Sequence, residues 1–574
     1  MNVSPASPQP RPVPATASGP AAPAEPWENL DNLDSLTFSF PGQDGTPKTG
    51  WAIYAEPVDR KDPLGPVHQV GAPNEGFSCV DDVARVALVY LDQFEKTGKP
   101  ELAGKATQAV QFCLNQQDGQ GHYYNFVNQD GTINKTGPTS EPGLNWWTAR
   151  AFWALSRAER VLGPTADPKL KDSIDQALDK TLDRLEESEK DTKIPPELAG
   201  VYAETGVKPG SLVDHSGSIT SIFALGLLER VKAKEAQGLP DPRDKALLET
   251  YCDAMTKLAR PSDDPFTGDM HINSMWDPKT VHLYGNRQVQ ALASAGQALN
   301  RPDWIESARR EADHAYPRML ASYLVPFAFS PSPEPNPQIA YAAEAVVSNL
   351  QAVYRATGEN KYSMLAGLYG TWFNGANAAG LPVYNRETGR SFDGVDATGV
   401  STNSGAESNV ETQLAMASLQ GSPGEALLDY GKTVSVPAEK LLTEDALKVA
   451  SGAPTTVSRT LNGGAVRKEW QLTGNDALSV AEPNPADTDY VTWKSEGGAL
   501  NVQPDGSPAV TVPASDGGWQ VTRLPAASLY KLGGNVEIDS VVERSPELSR
   551  QWTDGGHSVQ LKVDSQDGNW QLSR

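Results

Sequence analysis

The stretch CVDDVARVALVYL (residues 79–91) is apolar on nearly every side, and five similar stretches follow it in the chain. They are NWWTARAFWALSRAERVL from residue 145, DHSGSITSIFALGLLERV from 214, YGNRQVQALASAGQAL from 284, QIAYAAEAVVSNLQAVY from 338 and GAESNVETQLAMASL from 405. A helix that is apolar all round must be buried, whereas a helix with one apolar stripe can lie at a surface. Because the stretches start about 60 to 70 residues apart, we expect six inner helices closed into a ring of helical hairpins.

Amphipathic segments between these stretches predict an outer layer of helices. In KLKDSIDQALDKTLDRLEES (169–188), one face is marked at helical spacing by Ile174, Leu178, Leu182 and Leu185. The links after the inner helices are short, whereas the loops before them are long and rich in Gly, Pro, Asn and aromatic residues. These loops span 118–143, 189–213, 261–283 and 377–403. We expect them to gather at the N-terminal ends of the inner helices, and long loops in compact domains are usually functional.

The composition divides the chain into three predicted parts. Residues 1–26 are mainly Pro and Ala, so we expect a disordered tether there and the ring of hairpins at 27–432. From residue 433 the period of alternation changes to 2, which predicts a β-sandwich at 433–574. Its tryptophans suit either sugar-stacking platforms or a structural core: Trp493, Trp519, Trp552 and Trp570.

The overall composition argues against several classes of function. A formal net charge of -23 argues against a nucleic-acid partner, because binding to a phosphate backbone depends on a basic face. No run approaches about 18 apolar residues, so we expect no membrane span. Cys79, Cys113 and Cys252 lie among apolar neighbours and are interpreted as core residues. The sequence has no phosphate-binding glycine loop, no GxSxG elbow and no zinc-ligand spacing, so we expect no cofactor and no metal.

The tether also bears on localisation. A Pro- and Ala-rich segment of this kind often follows a removed secretion signal, although this sequence carries no signal peptide itself. We therefore expect an extracellular or cell-envelope protein. The oligomeric state stays open.

Carboxylates at the starts of the inner helices are the first candidates for chemistry. Ser78 and Asp81 match the S-x-x-D form of a capping box, which gives Asp81 a structural role. Asp82 points about 100° away on the helix and would lie at the mouth of the ring. We predict that Asp82 is catalytic or substrate-binding, the alternative being a second charge that stabilises the helix dipole.

Two further inner helices begin with the same pattern. Residues 211–214 and 404–407 also match the capping box, so Asp214 and Glu407 have a structural explanation beside a catalytic one. Their positions at the starts of inner helices, next to small residues, keep them as candidates. His215 could bind a hydroxyl or relay a proton, or serve as a satisfied cap.

Glu344 and Glu141 have different surroundings. The Asn-Pro pair at 336–337 predicts a helix start with proline first, which places Glu344 about two turns inside. A buried carboxyl has a raised pKa, as a general acid requires, but a buried pair with an arginine such as Arg287 fits equally well. Glu141 precedes a proline, so we expect it to be extended in the loop before two tryptophans.

Aromatic and charged side chains concentrate in the same loops. Sugars have apolar faces edged by hydroxyls, so a cleft lined with rings, amides and charged partners suits them. The predicted substrate-binding residues are Asp81, Tyr124, Glu141, Trp146, Trp147, His215, Trp276, Tyr284, Arg287 and Tyr341.

The six-hairpin ring, GFSCVDDVARVALVYL (76–91) and STNSGAESNVETQLAMASL (401–419) together resemble the (α/α)6-barrel superfamily of glycoside hydrolases and polysaccharide lyases. The resemblance is architectural and covers roughly residues 50–430. It implies a mainly α fold, an (α/α)6 toroid, with the active site at the N-terminal ends of the inner helices. By that analogy Asp82 and Glu407 lie on ring-adjacent hairpins, and Asp214 lies farther round.

Three hypotheses of function follow, all with a carbohydrate ligand. The first is a glycoside hydrolase in which two of Asp82, Asp214, Glu344 and Glu407 act as acid and as base or nucleophile. The second is a polysaccharide lyase using Tyr284, His282 and Arg287, which the acidic composition disfavours. The third is a non-catalytic carbohydrate-binding surface protein in which the carboxylates are structural.

Overall fold

A computed structural model describes residues 26–574, apart from 397, 436–438, 481–483, 485 and 516. The tether predicted at 1–26 lies outside the described residues except for Pro26.

Helices dominate the first three quarters of the chain. They are α1 (Asp31–Ser35), α2 (Val80–Thr97), α3 (Pro100–Asn115), α4 (Trp146–Val161), α5 (Pro168–Lys190), α6 (Ala199–Thr205), α7 (Gly217–Ala236), α8 (Pro242–Thr256), α9 (Gln288–Leu299), α10 (Pro302–Ser322), α11 (Ala340–Thr357), α12 (Asn360–Gly370) and α13 (Ala406–Leu419). Short 3-10 helices lie at Pro196–Leu198, Val213–His215, Thr371–Asn374 and Glu425–Leu427.

Six of the helices correspond to the apolar stretches and contact one another in a circle. They are α2, α4, α7, α9, α11 and α13, and each packs against the next. The circle closes because α13 also packs against α2. These helices are buried on most sides, as their apolar composition predicts.

Amphipathic helices lie outside this circle. α3, α5, α8, α10 and α12 pack against α2, α4, α7, α9 and α11 respectively. In α5 the predicted stripe of Ile174, Leu178, Leu182 and Leu185 is buried. The sixth pair differs from the repeating unit expected from sequence, because strands follow α13 and the short N-terminal α1 packs against it instead.

Short strands occupy the long loops. They are β1 (Thr37–Pro41), β2 (Pro47–Trp51), β3 (Tyr54–Pro57), β4 (Val67–Val70), β5 (Ser78–Cys79), β6 (Phe126–Val127), β7 (Val281–His282), β8 (Ala328–Phe329), β9 (Pro333–Glu334), β10 (Gln338–Ile339), β11 (Tyr384–Asn385), β12 (Arg390–Ser391), β13 (Gly394–Asp396) and β14 (Gly399–Ser401). The pairs β5–β6, β7–β8 and β10–β13 join loops of different hairpins. Loops distant in sequence therefore support one another beside the starts of the inner helices.

The remaining chain is rich in strands. They are β15 (Lys432–Ser435), β16 (Glu439–Leu442), β17 (Lys448–Ser451), β18 (Thr455–Thr460), β19 (Val466–Leu472), β20 (Ala477–Val480), β21 (Thr488–Ser495), β22 (Leu500–Pro504), β23 (Val510–Val512), β24 (Gln520–Arg523), β25 (Tyr530–Gly533), β26 (Val536–Arg544), β27 (Glu547–Asp554), β28 (His557–Asp564) and β29 (Trp570–Ser573).

These strands form three antiparallel sheets. Their orders are β15-β27-β28-β29, β18-β19-β26-β21-β24 with β16 beside β26, and β17-β20-β25-β22-β23. Apolar side chains of the last two sheets share one buried cluster, which includes Trp493. The four-stranded sheet packs on α10 and buries Trp552 in the cluster of the helical region. Trp493 and Trp552 are thus structural, the second of the two interpretations made from the sequence.

Polar contacts fasten the sheets to the loops of the helical region. Asn462, in the turn between β18 and β19, donates from its backbone N–H (3.0 Å) and its side chain (3.1 Å) to the carboxylate of Glu334. Arg467 donates to Ser332 Oγ at 2.7 Å and to the carbonyl of Pro333 at 2.8 Å. The loop around β9 is therefore held between the two regions.

Within the described residues, no helix combines the length and apolar character needed to cross a bilayer. All three cysteines are buried with free thiols, as the sequence predicted.

Close backbone contact fixes the start of α13. Ser404 N–H donates to the carbonyl of Ala55 (2.9 Å), and Ala406 N–H donates to the carbonyl of Ala52 (3.0 Å). Gly405 lies between them, and a Cβ there would overlap the carbonyl oxygen of Ile53. A side chain at this position must push the β2–β3 connection away from the helix.

We predict that Gly405→Ala lowers the free energy of unfolding by about 1–3 kcal/mol, because the new methyl has no space. Gly104→Ala is the matched control, since Gly104 is exposed in α3 with no neighbouring atom within 4 Å. That control should stabilise the protein by about 0.5–1 kcal/mol. Urea denaturation measures both, and equal effects of the two substitutions would contradict the packing argument.

Candidate functional site

The capping interpretation of Asp81 is wrong. Cys79, not Ser78, is the N-cap of α2, and its Sγ accepts from Asp82 N–H at 3.4 Å. Ser78 Oγ instead accepts from Trp51 N–H at 3.2 Å. The reason is the β5–β6 pairing, which keeps Ser78 and Cys79 extended until the helix begins at Val80. The Asp81 carboxylate is therefore not committed to the helix end.

The other two capping boxes are wrong for similar reasons. Ser216 caps α7 by accepting from Ile219 N–H at 3.2 Å, which leaves Asp214 before the helix with φ 49° and an exposed side chain. Gly405 is the N-cap of α13 and offers no side chain. Glu407 thus projects from the first turn of α13 without a capping role.

Arg85 brings together four carboxylates at the junction of α2 and α13. Its Nη2 lies 2.8 Å from Asp82 Oδ1, 3.4 Å from Asp81 Oδ2 and 3.2 Å from Glu407 Oε1. Its Nη1 donates to Glu411 Oε1 and lies 3.3 Å from Glu407 Oε1. The predicted neighbours Asp82 and Glu407 therefore share one guanidinium group.

A second arginine and a tyrosine border this cluster. Arg150, on α4, forms an ion pair with Asp81. The guanidinium carbons of Arg85 and Arg150 lie 5.0 and 4.9 Å from the ring centroid of Tyr341. The Tyr341 hydroxyl is buried without a hydrogen-bond partner among the described residues. Trp146 stands beside Arg150, with 5.7 Å between the guanidinium carbon and the ring centroid.

Burial controls the protonation of two carboxyls in the cluster. Loss of hydration raises the pKa of Asp82 to about 7, with Arg85 opposing the shift and Glu407 adding to it. Burial likewise raises the pKa of Glu411 to about 8, with Arg85 opposing and the neighbouring Glu344 adding to the shift. Oδ2 of Asp82 and Oε2 of Glu411 have no donor among the described residues, as befits oxygens that carry a proton.

Glu344 is a buried ion-paired residue. Its Oε1 accepts from Arg287 Nη1 at 2.9 Å and from Ser348 Oγ at 2.6 Å, and its Oε2 accepts from Arg287 Nη2. It lies in the second turn of α11 and not two turns inside, because residues 338–339 form β10 and delay the helix to Ala340. Of the two sequence interpretations, the arginine pair is therefore the one present.

Three carboxylates of the cluster are close enough together to suggest a metal site. Oxygens of Asp81, Asp82 and Glu407 lie within 4.8 Å of one another, and such oxygens suit Ca²⁺ or Mg²⁺. However, Arg85 Nη2 is within 3.4 Å of an oxygen from each of the three. That fixed positive charge would repel a bound cation and offsets part of the negative charge of its ligands.

Asp393 is a further carboxylate at this rim. It accepts from Asn403 Nδ2 at 2.6 Å, and burial raises its pKa to about 6 despite that hydrogen bond. The charge of Glu407 also contributes to this shift, which places Asp393 on the α13 side of the cluster. Burial and the nearby charges of Asp393, Asp82 and Glu407 raise the pKa of Tyr54 to about 12.

Two further groups of side chains contain predicted aromatic residues. His215 Nδ1 and Tyr202 Oη are 2.7 Å apart, and the His215 ring meets Trp276 edge-on at 5.4 Å. Trp276 is 51% exposed, so its face is available to a ligand. Tyr284 stacks on His282 at 3.8 Å, and burial lowers the pKa of His282 to about 4.

Other predicted residues make local contacts. The Trp147 indole N–H donates to the carbonyl of Tyr123 at 2.7 Å, and Tyr124 packs against Lys135. Glu141 is exposed before α4. Arg287, which a lyase would need to neutralise a uronate, is 3% exposed and bound to Glu344.

Sequence reasoning missed Arg85, Arg150, Glu411 and Asp393. Two of them had a detectable signal, since Arg85 follows Asp82 by three positions and Glu411 follows Glu407 by four. Residues at these spacings share a helix face. No sequence signal indicated Arg150 or Asp393, because tertiary packing alone brings them to the cluster.

Cavity size alone would have indicated a different site. A cavity of about 940 Å³ lies between α3, α5 and residues 43–48, and none of the candidate site residues lines it. The site is instead defined by convergent charged groups.

Neither a protein-family model nor a curated protein matches this chain. A cellobiose 2-epimerase from Spirochaeta thermophila DSM 6192 is similar in structure, with 14% identity over 62% of this chain and 89% of that chain, and a TM-score of 0.43. A GH127 β-L-arabinofuranosidase from Geobacillus stearothermophilus T6 has 13% identity over 84% of this chain and 74% of its own, with a TM-score of 0.38. A family 9 endoglucanase has 13% identity over 66% of this chain and 76% of its own, with a TM-score of 0.38. These three similar structures are thus a cellobiose 2-epimerase and two glycoside hydrolases.

We predict that Glu411→Gln changes the pH dependence of stability. The folded state binds the proton of the Glu411 carboxyl more tightly than the unfolded chain does. The stability that it contributes is therefore complete below the ordinary glutamate pKa of 4.5 and lost as pH rises through about 8. Glutamine needs no proton, so the variant should gain stability relative to the wild type as pH rises from about 4.5 to about 8.

Urea denaturation across that range measures the effect, with Glu344→Gln as the control. Removing the Glu344 charge strands Arg287, so this variant should lose about 3–5 kcal/mol throughout the range. A Glu411→Gln variant that loses stability relative to wild type as pH rises would contradict the assignment.

Proposed function

We propose that the chain is a glycoside hydrolase in which Asp82 donates the proton and Glu407 is the ionised partner. The observation that carries the proposal is the meeting of two carboxyl groups from different helices in contrasting environments. The Asp82 side chain is 6% exposed, whereas that of Glu407 is 48% exposed. Glycoside hydrolysis requires two such groups, one neutral and one charged.

Asp82 has the properties of a general acid. A pKa of about 7 leaves it substantially protonated at neutral pH, and its Oδ2 is not engaged by another described residue. An acid whose pKa lies near the working pH transfers protons most effectively.

Glu407 suits the complementary role. It accepts from both Nη atoms of Arg85, at 3.3 and 3.2 Å, and these charge-assisted bonds stabilise a carboxylate. Its exposure leaves it accessible to a sugar. The oxygens of Asp82 and Glu407 lie within 4.8 Å of each other. Retaining enzymes have carboxyls about 5–5.5 Å apart, so we propose Glu407 as a nucleophile and retention of configuration.

The surroundings favour a neutral carbohydrate. Trp276, which is 51% exposed, offers an aromatic surface at the N-terminal rim, and sugars stack on such surfaces. The net charge of -23 disfavours an anionic polymer.

The proposal includes a domain organisation for the chain. We interpret the circle of helix pairs as an (α/α)6 barrel at 27–432 that contains the active site. We interpret the strands from residue 433 as a β-sandwich that supports its loops. We propose export to the extracellular space or the cell envelope, which the Pro- and Ala-rich composition of residues 1–26 supports.

Asp82→Asn and Glu407→Gln should each reduce turnover of a cleaved glycan by about 10²–10⁴-fold, with unchanged circular dichroism. Activity is first located on a glycan panel, and the initial product anomer is then assigned by NMR. Asp214→Asn is the matched control, because that exposed carboxylate lies outside the cluster, and it should remain active. Near-normal rates for both cluster variants would reject the roles assigned here.

The pH–rate profile provides a second test. Because the acid must be protonated, kcat/KM should fall as pH rises through about 7. In Asp82→Asn, the residual rate on an aryl glycoside with a good leaving group should lose this basic limb. A limb near 7 that persists in the variant would assign the titration to another group.

A further inference from the structure

A cavity lies inside the circle of helices, on the side away from the carboxylate cluster. It has a volume of about 370 Å³, and all six inner helices contribute to its lining. One lining residue from each, in chain order, is Leu88, Trp153, Leu225, Gln290, Ser348 and Leu414. The Arg287–Glu344 pair lines it as well, so this pair separates the cavity from the cluster around Arg85.

Basic side chains surround the far end of this cavity. Lys96 pairs with Asp92 at 2.9 Å. Arg157 pairs with Glu229 at 3.0 Å and with Glu95 at 2.6 Å. The acidic groups at this end are thus already engaged.

Lys232 and Arg355 have no such partners. Both line the cavity, and neither side chain has a hydrogen bond or ion pair with another described residue. Both residues are exposed to solvent. Their position is unusual in a chain with a net charge of -23.

Burial is the main cause of the lowered pKa at both cations. Burial lowers the pKa of Lys232, and nearby Arg160 and Arg157 lower it further, against the opposing effects of Glu229 and Glu95. Burial also lowers the pKa of Arg355, and Arg157 adds to that shift against the charge of Asp92. An anion in the cavity would stabilise the charged forms of both groups.

We propose that the cavity binds a small oxyanion, a carboxylate or a phosphate, with Lys232 and Arg355 as its cationic partners. Each cation would donate charge-assisted hydrogen bonds to the anionic group. Leu88, Trp153 and Leu225 form an apolar wall that suits a ligand with a short hydrocarbon part. The site is separate from the proposed active site and does not depend on its chemistry.

Isothermal titration calorimetry tests the proposal on the full chain at low ionic strength, with inorganic phosphate and butanoate as probes. At least one should bind the wild type, and binding in K232M/R355M should be about tenfold weaker or more. Phosphate binding alone would identify a compact oxyanion, and butanoate binding would identify a carboxylate with an apolar part.

The control variant is K180M/K208M, which removes two exposed lysines that make no ion pair among the described residues. It changes the net charge equally and should bind as the wild type does. The proposal is overturned if neither probe binds the wild type, or if K232M/R355M binds equally well. Because the measurement is of binding, inactivity toward glycans would leave its outcome unchanged.

Discussion

The burial of Arg85 among carboxylates is the constraint on which the site depends. A guanidinium group at this depth is stable only if anions surround it, and Arg85 is bound by Asp81, Asp82, Glu407 and Glu411. Two of these lie on α2 and two on α13, so the ion pairs also join the first and last inner helices. The circle of helices and the acidic cluster are therefore held by the same interaction.

Charge balance within the cluster adds to the effect of burial on its protonation. Five carboxyl groups, those of Asp81, Asp82, Glu344, Glu407 and Glu411, share the three guanidinium groups of Arg85, Arg150 and Arg287. Two carboxyls have no cation of their own, and the two with raised pKa values are Asp82 and Glu411. Glu411 is enclosed beside Glu344, whereas Asp82 borders the more exposed Glu407. Burial and this shortage of positive charge together raise the pKa of both groups.

Loops and sheets reinforce the rim from outside. β18 and β19 of the C-terminal region present Asn462 and Arg467 to the loop around β9, and the adjacent Phe327 packs 4.9 Å from the Tyr284 ring. The C-terminal region consequently supports the loop that packs against Tyr284. Its buried tryptophans support the sheets and not a separate sugar-binding face.

The sequence by itself determined the six apolar helices, most of their amphipathic partners, the change to strands near residue 433 and the candidacy of Asp82 and Glu407. These follow from local periodicity, because the distribution of apolar residues along a helix or strand decides which face is buried. Only the tertiary structure decided the partners of those carboxylates. The capping boxes failed because strand pairing and backbone contacts moved the helix starts, as with Ser78 beside β6. Arg85 meets Glu407 across more than 300 positions of sequence, and Arg150 and Asp393 join through packing alone. Protonation states and the cationic cavity depend on such distant neighbours, since both burial and the sum of nearby charges exist only once the chain has folded.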